Sequence, residues 1–235
     1  MSDRFKAILF DLDGTLLDSN MGTFLPQYFS RLAARVAHIA PPKAFIAHLL
    51  EATEAMMAND GRATNEDVFS AAFYPFAGHT RAELEPIFMD FYERDFPALG
   101  EFTRRKPEAR AVVQLAFALG YRVAIATNPL FPETAIRQRM AWAGVDDFPY
   151  AWVTTYENSR CCKPNLCYFD AIAARLGLPA EQCLVVGDED MDMVAARAGF
   201  ATYLVPSAAT ALSPDTPEPM QRGSLAEFAT LLETL

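Results

Sequence analysis

The sequence has few basic residues and few cysteines. Its 20 Lys and Arg residues stand against 30 Asp and Glu residues, so the formal net charge is −10 over 235 residues. Surfaces that bind nucleic acids need clustered Lys and Arg to neutralise phosphates, and this balance argues against a nucleic-acid partner. A small phosphate ligand remains compatible with the balance, because a bound metal ion can reverse the local sign of the charge.

The sequence also lacks a run of roughly 18 apolar residues, which argues against a transmembrane helix. The few residues before the first apolar run are too short for a signal-peptide core. The four cysteines contain no CxxC pair and have no histidine cluster beside them, so we do not expect a zinc site. We expect a cytoplasmic protein with reduced thiols and no membrane partner. The cysteines are Cys161, Cys162, Cys167 and Cys183.

A short apolar run near the start of the chain is followed at once by two carboxylates. Residues 5–10 predict a buried strand, and the acidic loop DLDGT, residues 11–15, comes next. Alternate residues of an extended chain point to the same side, so Asp11 and Asp13 can face one site. Their charges repel unless a cation or a proton offsets them, which indicates chemistry. The alternative is an ordinary surface turn, in which Asp and Gly are common.

Two different sequence patterns follow this loop. Residues 22–97 carry apolar side chains at intervals of three and four, which predicts a bundle of about four helices. From residue 107 onward, predicted strands alternate with predicted helices, a pattern typical of a parallel sheet covered on both faces. The sequence therefore predicts an α/β fold, a Rossmann-like doubly wound core with an inserted α-helical bundle. We predict a core of residues 1–17 and 101–235, and a helical cap of residues 18–100.

From residue 107 onward, each predicted strand is short and ends near a turn or a polar residue. The stretch 206–223 is rich in Pro, Ser and Thr and predicts an irregular excursion. Residues 191–198 predict a helix that Gly199 ends. The predicted core strands after the first are residues 122–126, 151–154, 183–186 and 201–205.

Polar side chains follow several of these strands. Open parallel sheets bind ligands at the carboxyl ends of their strands, so these side chains are expected to converge on Asp11 and Asp13. A hydroxyl and an amide suit phosphate oxygens, a lysine can neutralise carboxylates, and two further aspartates add negative charge. These residues are Thr127, Asn128, Lys163, Asp188 and Asp192.

In this order, the residues resemble the four motifs of the haloacid dehalogenase (HAD) superfamily of hydrolases. The DxDGT motif matches residues 11–15, the hydroxyl motif matches Thr127, the lysine motif matches Lys163, and GDxxxD matches residues 187–192. The likeness covers nearly the whole chain, and the helical insertion resembles the superfamily's C1-type cap.

The resemblance implies a magnesium-dependent phosphatase that hydrolyses a small phosphorylated metabolite through an aspartyl-phosphate. It implies that Asp11 is the nucleophile and that Asp13 is the general acid and base. Lys163 and Thr127 complete the expected catalytic set.

The resemblance also implies a metal site and a substrate site. Mg²⁺ is expected at Asp11, at Asp188 and at the backbone carbonyl of Asp13. Asp192 belongs to the same metal site, where it either binds the ion or orients Lys163 or a metal-bound water. The expected substrate-binding residues are Asn128, Thr15 and Gly14.

Three other functions stay open. A sugar-phosphate mutase would share the core motifs, a phosphonatase would use a lysine of the cap, where Lys43 is the only one, and a binding protein would use the fold without catalysis. Dehalogenation is disfavoured, because the superfamily's dehalogenases lack the second aspartate, Asp13. Candidate cap residues for contacting the substrate, each also compatible with a plain surface position, are Asn20, Tyr28, Arg62 and His79.

Overall fold

The computed structural model describes residues 4–75, 79–207 and 210–235. Its strands are β1 (Ala7–Phe10), β2 (Leu17–Ser19), β3 (Thr103–Arg105), β4 (Arg122–Ile125), β5 (Trp152–Val153), β6 (Cys183–Gly187), β7 (Ala201–Leu204) and β8 (Gln221–Arg222). Its α-helices are α1 (Met21–Arg35), α2 (Pro42–Met57), α3 (Asn65–Phe73), α4 (Arg81–Arg94), α5 (Ala109–Ala118), α6 (Glu133–Ala143), α7 (Leu166–Leu176), α8 (Asp190–Met193) and α9 (Leu225–Leu232). Three 3-10 helices cover Phe96–Phe102, Ala180–Gln182 and Val194–Ala198.

A parallel sheet in the order β5-β4-β1-β6-β7-β8 forms the core. The strand β1 lies inside it and is wholly buried. Its side chains alternate between two apolar clusters: Ile8 and Phe10 pack with residues of α5 and α9, while Ala7 and Leu9 pack with residues of α7. Because both faces of β1 meet helices, the predicted doubly wound α/β fold is confirmed.

The helices α1 to α4 form an insertion between β2 and β3. Those two strands pair antiparallel, with Asp18 opposite Arg104, and so bring the two ends of the insertion together. The insertion has its own apolar cluster, which includes Phe24, Phe45 and Phe91. The helical periodicity thus predicted the right number of helices there among the described residues. The division into two domains stays a prediction.

Several short elements differ from the predictions. The strands β2, β3 and β8 were not predicted, because segments of two or three residues show no alternation and depend on their partners in space. The predicted helix 191–198 is divided between α8 and a 3-10 helix, and Gly199 ends it at a φ of +89°. Within the described ranges, no helix has the length and apolarity needed to span a bilayer.

The expectation that all four cysteines are reduced is wrong for two of them. Cys161 and Cys167 form a disulfide, with Cα atoms 6.1 Å apart, within the span that a disulfide bridges. The loop that carries Lys163 turns back on itself, so Cys161 faces the first turn of α7. Cys162 and Cys183 are free and buried.

Candidate active site

The carboxyl ends of β4, β1 and β6 lie side by side, and a cavity of about 220 Å³ opens above them. The register is fixed at this edge by the backbone N–H of Asp11, which donates to the carbonyl of Val186 at 2.8 Å. We call this opening the site cavity. The predicted residues that line it are Asp11, Asp13, Thr127, Asn128, Lys163, Asp188 and Asp192.

Lys163 bridges two of the carboxylates. Its Nζ lies 2.9 Å from Oδ1 of Asp11 and 2.5 Å from Oδ1 of Asp192, and the side chain is 3% exposed. Burial disfavours the ammonium, but the Asp11 and Asp192 carboxylates outweigh it and raise the pKa of Lys163 well above its usual value. Lys163 is therefore a fixed positive charge beside Asp11.

Asp11, Asp188 and Asp192 form a buried acidic cluster. One carboxylate oxygen of each lies within 4.8 Å of the others. The pKa of Asp188 is raised to about 7, mainly by burial and in addition by the negative charges of Asp11 and Asp192. Lys163 contacts the cluster and Lys106 lies near Asp188 and Asp11, so a divalent cation would offset the repulsion that remains among the three carboxylates. Oxygen donors of this kind fit Mg²⁺, which prefers hard carboxylate ligands.

Asp192 has both of its carboxylate oxygens engaged by the protein. Oδ1 accepts from Lys163, while Oδ2 accepts from the backbone N–H groups of Asp188 and Glu189 at 3.2 and 3.3 Å. Gly187 allows this approach, because a Cβ there would lie 2.1 Å from the Asp192 carboxyl carbon. These contacts favour the orienting role over direct metal binding.

Asp13 is held by two side chains at the edge of the site cavity. Ser19 Oγ donates to Oδ1 at 2.9 Å, and Arg139 forms an ion pair with the same carboxylate. The Asp13 side chain is 14% exposed, so it remains accessible from the cavity.

Arg139 is a site residue that the sequence analysis missed. It lies on α6, its side chain is 4% exposed, and its guanidinium lies 5.1 Å from the ring centroid of Phe131. Burial lowers the pKa of Arg139 to about 10, which leaves it charged at neutral pH. The signal was available: Ile136, Arg139 and Met140 all lie on the buried side of one helix, and a basic residue is rare there.

Gly14 and Thr15 do not line the site cavity. Gly14 has a φ of +82°, and a Cβ there would lie 2.1 Å from Oδ2 of Asp188, so the loop needs glycine. Lys106 donates to the Gly14 carbonyl. Thr15 is fully buried and donates to Oδ1 of Asp188 at 3.2 Å. The geometry gives both residues a role in holding Asp188, and their role in substrate binding stays a prediction.

Asn128 and Thr127 both line the cavity. The Oδ1 atom of Asn128 accepts from the backbone N–H of Lys163 at 3.2 Å. This bond joins the loop after β4 to the loop that carries Lys163. Among the described residues, its Nδ2 has as partners the sulfur atoms of Met57 and Met191, at 3.9 and 4.0 Å, and these are weak acceptors. The Asn128 amide is therefore available to an oxygen in the cavity.

None of the four candidate cap residues lines the site cavity. Asn20 caps α1 through its side chain, and His79 lies 3.7 Å from Glu83. Arg62 is 90% exposed and paired with Asp60, so it is a surface residue. Tyr28 is buried and lines a neighbouring cavity.

Comparisons with known proteins identify a family, related sequences and a related fold. Residues 5–199 match the family described as haloacid dehalogenase-like hydrolase. A phosphoglycolate phosphatase of Xanthomonas campestris pv. campestris is 28% identical over 194 residues, covering 82% of this chain and 79% of that protein. Another, from Cereibacter sphaeroides, is 29% identical over 194 residues, covering 81% and 80%. A crystal structure of a HAD phosphatase from Thermococcus onnurineus has a TM-score of 0.60 at 19% identity, covering 97% and 98%.

The chain belongs to the haloacid dehalogenase-like hydrolase family, because the match spans most of its length. The predictions of the superfamily and of a hydrolytic enzyme are confirmed. The likeness to the Thermococcus structure, at its low identity, supports the fold alone.

Proposed function

We propose that this enzyme is a magnesium-dependent phosphatase that hydrolyses a small phosphomonoester through an aspartyl-phosphate on Asp11. The observation that carries the proposal is the convergence of Asp11, Lys163 and Asp188 from three distant segments on one cavity. The second aspartate, Asp13, separates this site from that of a dehalogenase. The relatives named phosphoglycolate phosphatase support the reaction class.

Asp11 is the proposed nucleophile. Lys163 binds its Oδ1, so Oδ2 is the oxygen that attacks phosphorus while the bond from phosphorus to the leaving oxygen breaks. The Lys163 charge lies beside the Asp11 carboxylate and stabilises the phosphoryl oxygens as charge develops on them. The Asn128 amide and the Thr127 hydroxyl are proposed to donate to the same oxygens.

Asp13 is the proposed general acid and base. It donates a proton to the leaving oxygen in the first step and takes one from the hydrolytic water in the second. Ser19 and Arg139 fix the direction of its carboxylate, which sets the distance over which the proton moves. Proton transfer of this kind requires heavy atoms at hydrogen-bond distance, so fixed orientation matters.

Asp11 and Asp188 are the side chains proposed to hold Mg²⁺, together with the backbone carbonyl of Asp13. Bound magnesium supplies positive charge that shields the attacking carboxylate and stabilises the transferring group. Thr15 and Gly14 hold the Asp188 carboxylate in place, and Asp192 holds Lys163.

The alternatives have less support. The cap lysine that a phosphonatase would use is Lys43, which is exposed and does not line the site cavity. The relatives from Xanthomonas campestris and Cereibacter sphaeroides are both named as phosphatases, which does not favour a mutase.

The test is release of inorganic phosphate from a generic aryl phosphate, with Mg²⁺ and with a chelator. We expect turnover only with the metal, and a loss of at least about a thousandfold in kcat for Asp11→Asn. Asp60→Asn, at a half-exposed surface position, is the matched control and should retain full activity. Turnover that persists in Asp11→Asn protein at the native rate would refute the proposed nucleophile.

A further inference from the structure

A second cavity of about 170 Å³ lies in the helical insertion beside the site cavity. Its wall is mainly aromatic and aliphatic, with side chains from α1, α2, α3 and α4. We call it the apolar cavity. The mechanism above does not use it.

The two cavities share three lining residues. Leu25 of α1 and the adjacent pair Leu130 and Phe131 border both of them. Leu130 and Phe131 follow Thr127 and Asn128 by only a few positions, so the wall that begins at the proposed phosphate site continues into the apolar cavity. The two cavities therefore adjoin along these three side chains, which is the route by which an organic group attached to phosphorus at Asp11 would reach the apolar cavity.

The chemistry of the apolar cavity excludes a charged occupant. Among the residues that the structure describes, no Lys, Arg or His lines it. Its one acidic side chain, Glu85, is paired with Arg81 at 2.6 Å. The hydroxyls of Tyr28 and Tyr92 bond to each other at 2.8 Å, so one of their two O–H protons is already used. A substrate carboxylate there would be buried near Glu85 without a counter-charge, which is costly.

The volume sets the size of the occupant. An apolar cavity of about 150 Å³ in another protein is known to accept benzene, so about 170 Å³ holds one aromatic ring or a short alkyl chain. Leu50 and Met89 also line the cavity and are 44% and 36% exposed, so the cavity reaches the protein surface beside them.

We propose that the apolar cavity binds the leaving group of the substrate, and that this group is uncharged and apolar, about the size of one benzene ring. The proposal rests on the phosphatase function proposed above and names its substrate class. It differs from phosphoglycolate, the substrate in the names of the relatives, whose leaving group carries a carboxylate.

The first experiment uses the unmodified enzyme with Mg²⁺ and four phosphate esters: ethyl, hexyl and benzyl phosphate, and phosphoglycolate. The alkyl and benzyl leaving groups are all simple alcohols, so differences among them report mainly binding. We expect kcat/KM for hexyl and benzyl phosphate to exceed that for ethyl phosphate by at least about tenfold, because burial of each methylene group is favourable. We expect phosphoglycolate to be turned over more slowly than benzyl phosphate.

The second experiment changes the wall of the apolar cavity. Leu50→Trp adds bulk at a partly exposed position, and we expect it to lower the ratio of hexyl to ethyl phosphate kcat/KM by about fivefold or more. Leu50→Arg adds a cation and should raise phosphoglycolate turnover relative to benzyl phosphate. Met220→Trp, at a position 37% exposed that lines neither cavity, is the control and should leave every ratio unchanged.

The outcomes separate the two proposals. If none of the four esters releases phosphate, the phosphatase function fails and this inference falls with it. If phosphate is released but ethyl phosphate or phosphoglycolate is the best substrate, the phosphatase function stands and the inference is overturned. Equal ratios in the Leu50→Trp and Met220→Trp enzymes would also overturn it, and would assign the apolar cavity to some other occupant.

Discussion

The side chain of Arg139 shows how a single residue can set the geometry of a catalytic group. It reaches Asp13 from α6, across the sheet edge, and is itself almost fully buried. A buried guanidinium is stable there only because a carboxylate compensates its charge. Asp13 and Arg139 therefore depend on each other, and loss of either leaves an uncompensated charge beside the site cavity.

Replacement of Arg139 by methionine tests this dependence. Arg139→Met keeps apolar contact with Phe131 but removes the ion pair, so we expect kcat/KM to fall by about 10- to 100-fold as Asp13 loses its orientation. The free energy of unfolding should fall by about 3 kcal/mol, near the lower end of the range for a broken buried ion pair. The loss is at the lower end because the unpaired Asp13 carboxylate remains accessible from the cavity. Steady-state kinetics and urea unfolding measure the two effects.

Arg137→Met is the matched control on the same helix. Arg137 is 46% exposed and pairs with Glu133 one turn away, so its loss should change the unfolding free energy by less than about 0.5 kcal/mol. Native kinetics in Arg139→Met enzyme would show that Asp13 needs no such support.

The helix α3 carries one of the contacts that join the insertion to the core. Asn65, its first residue, is fully buried. Its Nδ2 donates to the Pro129 carbonyl at 3.2 Å, and its Oδ1 accepts from Asn59 at 2.8 Å. The Pro129 carbonyl lies in the loop after β4, next to Asn128, so this one amide connects the insertion to the site.

We expect Asn65→Ala to lower the free energy of unfolding by about 1 to 3 kcal/mol, because it leaves buried partners without their hydrogen bonds. The midpoint of urea unfolding measures this change. Arg62→Ala, on the exposed turn just before α3, should be neutral in the same assay. An equal loss in the two variants would mean that the Asn65 contacts add nothing specific.

The sequence predicted elements with strong periodicity and did not predict those that depend on distant partners. The four inserted helices have an apolar face that repeats over several turns, so local pattern is enough. The strands β2 and β3 are three residues each and lie more than eighty positions apart along the chain, so no window contains both. The pair Cys161 and Cys167 escaped for a different reason: the two are close in sequence, but the turn of the Lys163 loop, which no periodic pattern predicts, brings them together.

At the scale of the whole molecule, the order of strands explains why residues far apart in sequence meet at one edge. Asp11, Thr127 and Asp188 each follow a strand of the β4-β1-β6 triplet, so a parallel sheet alone predicted their proximity. The bridging position of Lys163 depends on a loop, and Arg139 reaches the site from a helix. Neither position follows from strand order: Lys163 was predicted from its charge and its place in a loop, and Arg139 was missed.

The acidic cluster makes a prediction for the whole molecule. The three buried carboxylates repel each other in the folded state despite the nearby Lys163 and Lys106, and magnesium would relieve this repulsion only when the chain is folded. A ligand that binds the folded state alone, at about 100 times its Kd, adds about 2.7 kcal/mol, which corresponds to a rise in Tm of about 5 to 10 °C for a chain of this size. Differential scanning calorimetry with Mg²⁺ and with a chelator measures the rise.

In Asp188→Asn protein the rise in Tm should vanish. The Tm with chelator should not fall much, because the variant removes one of the repelling charges. Asp60→Asn, far more exposed, should keep the full rise. A rise that is the same in Asp188→Asn as in the native chain would place the ion elsewhere and remove the metal from the proposed chemistry.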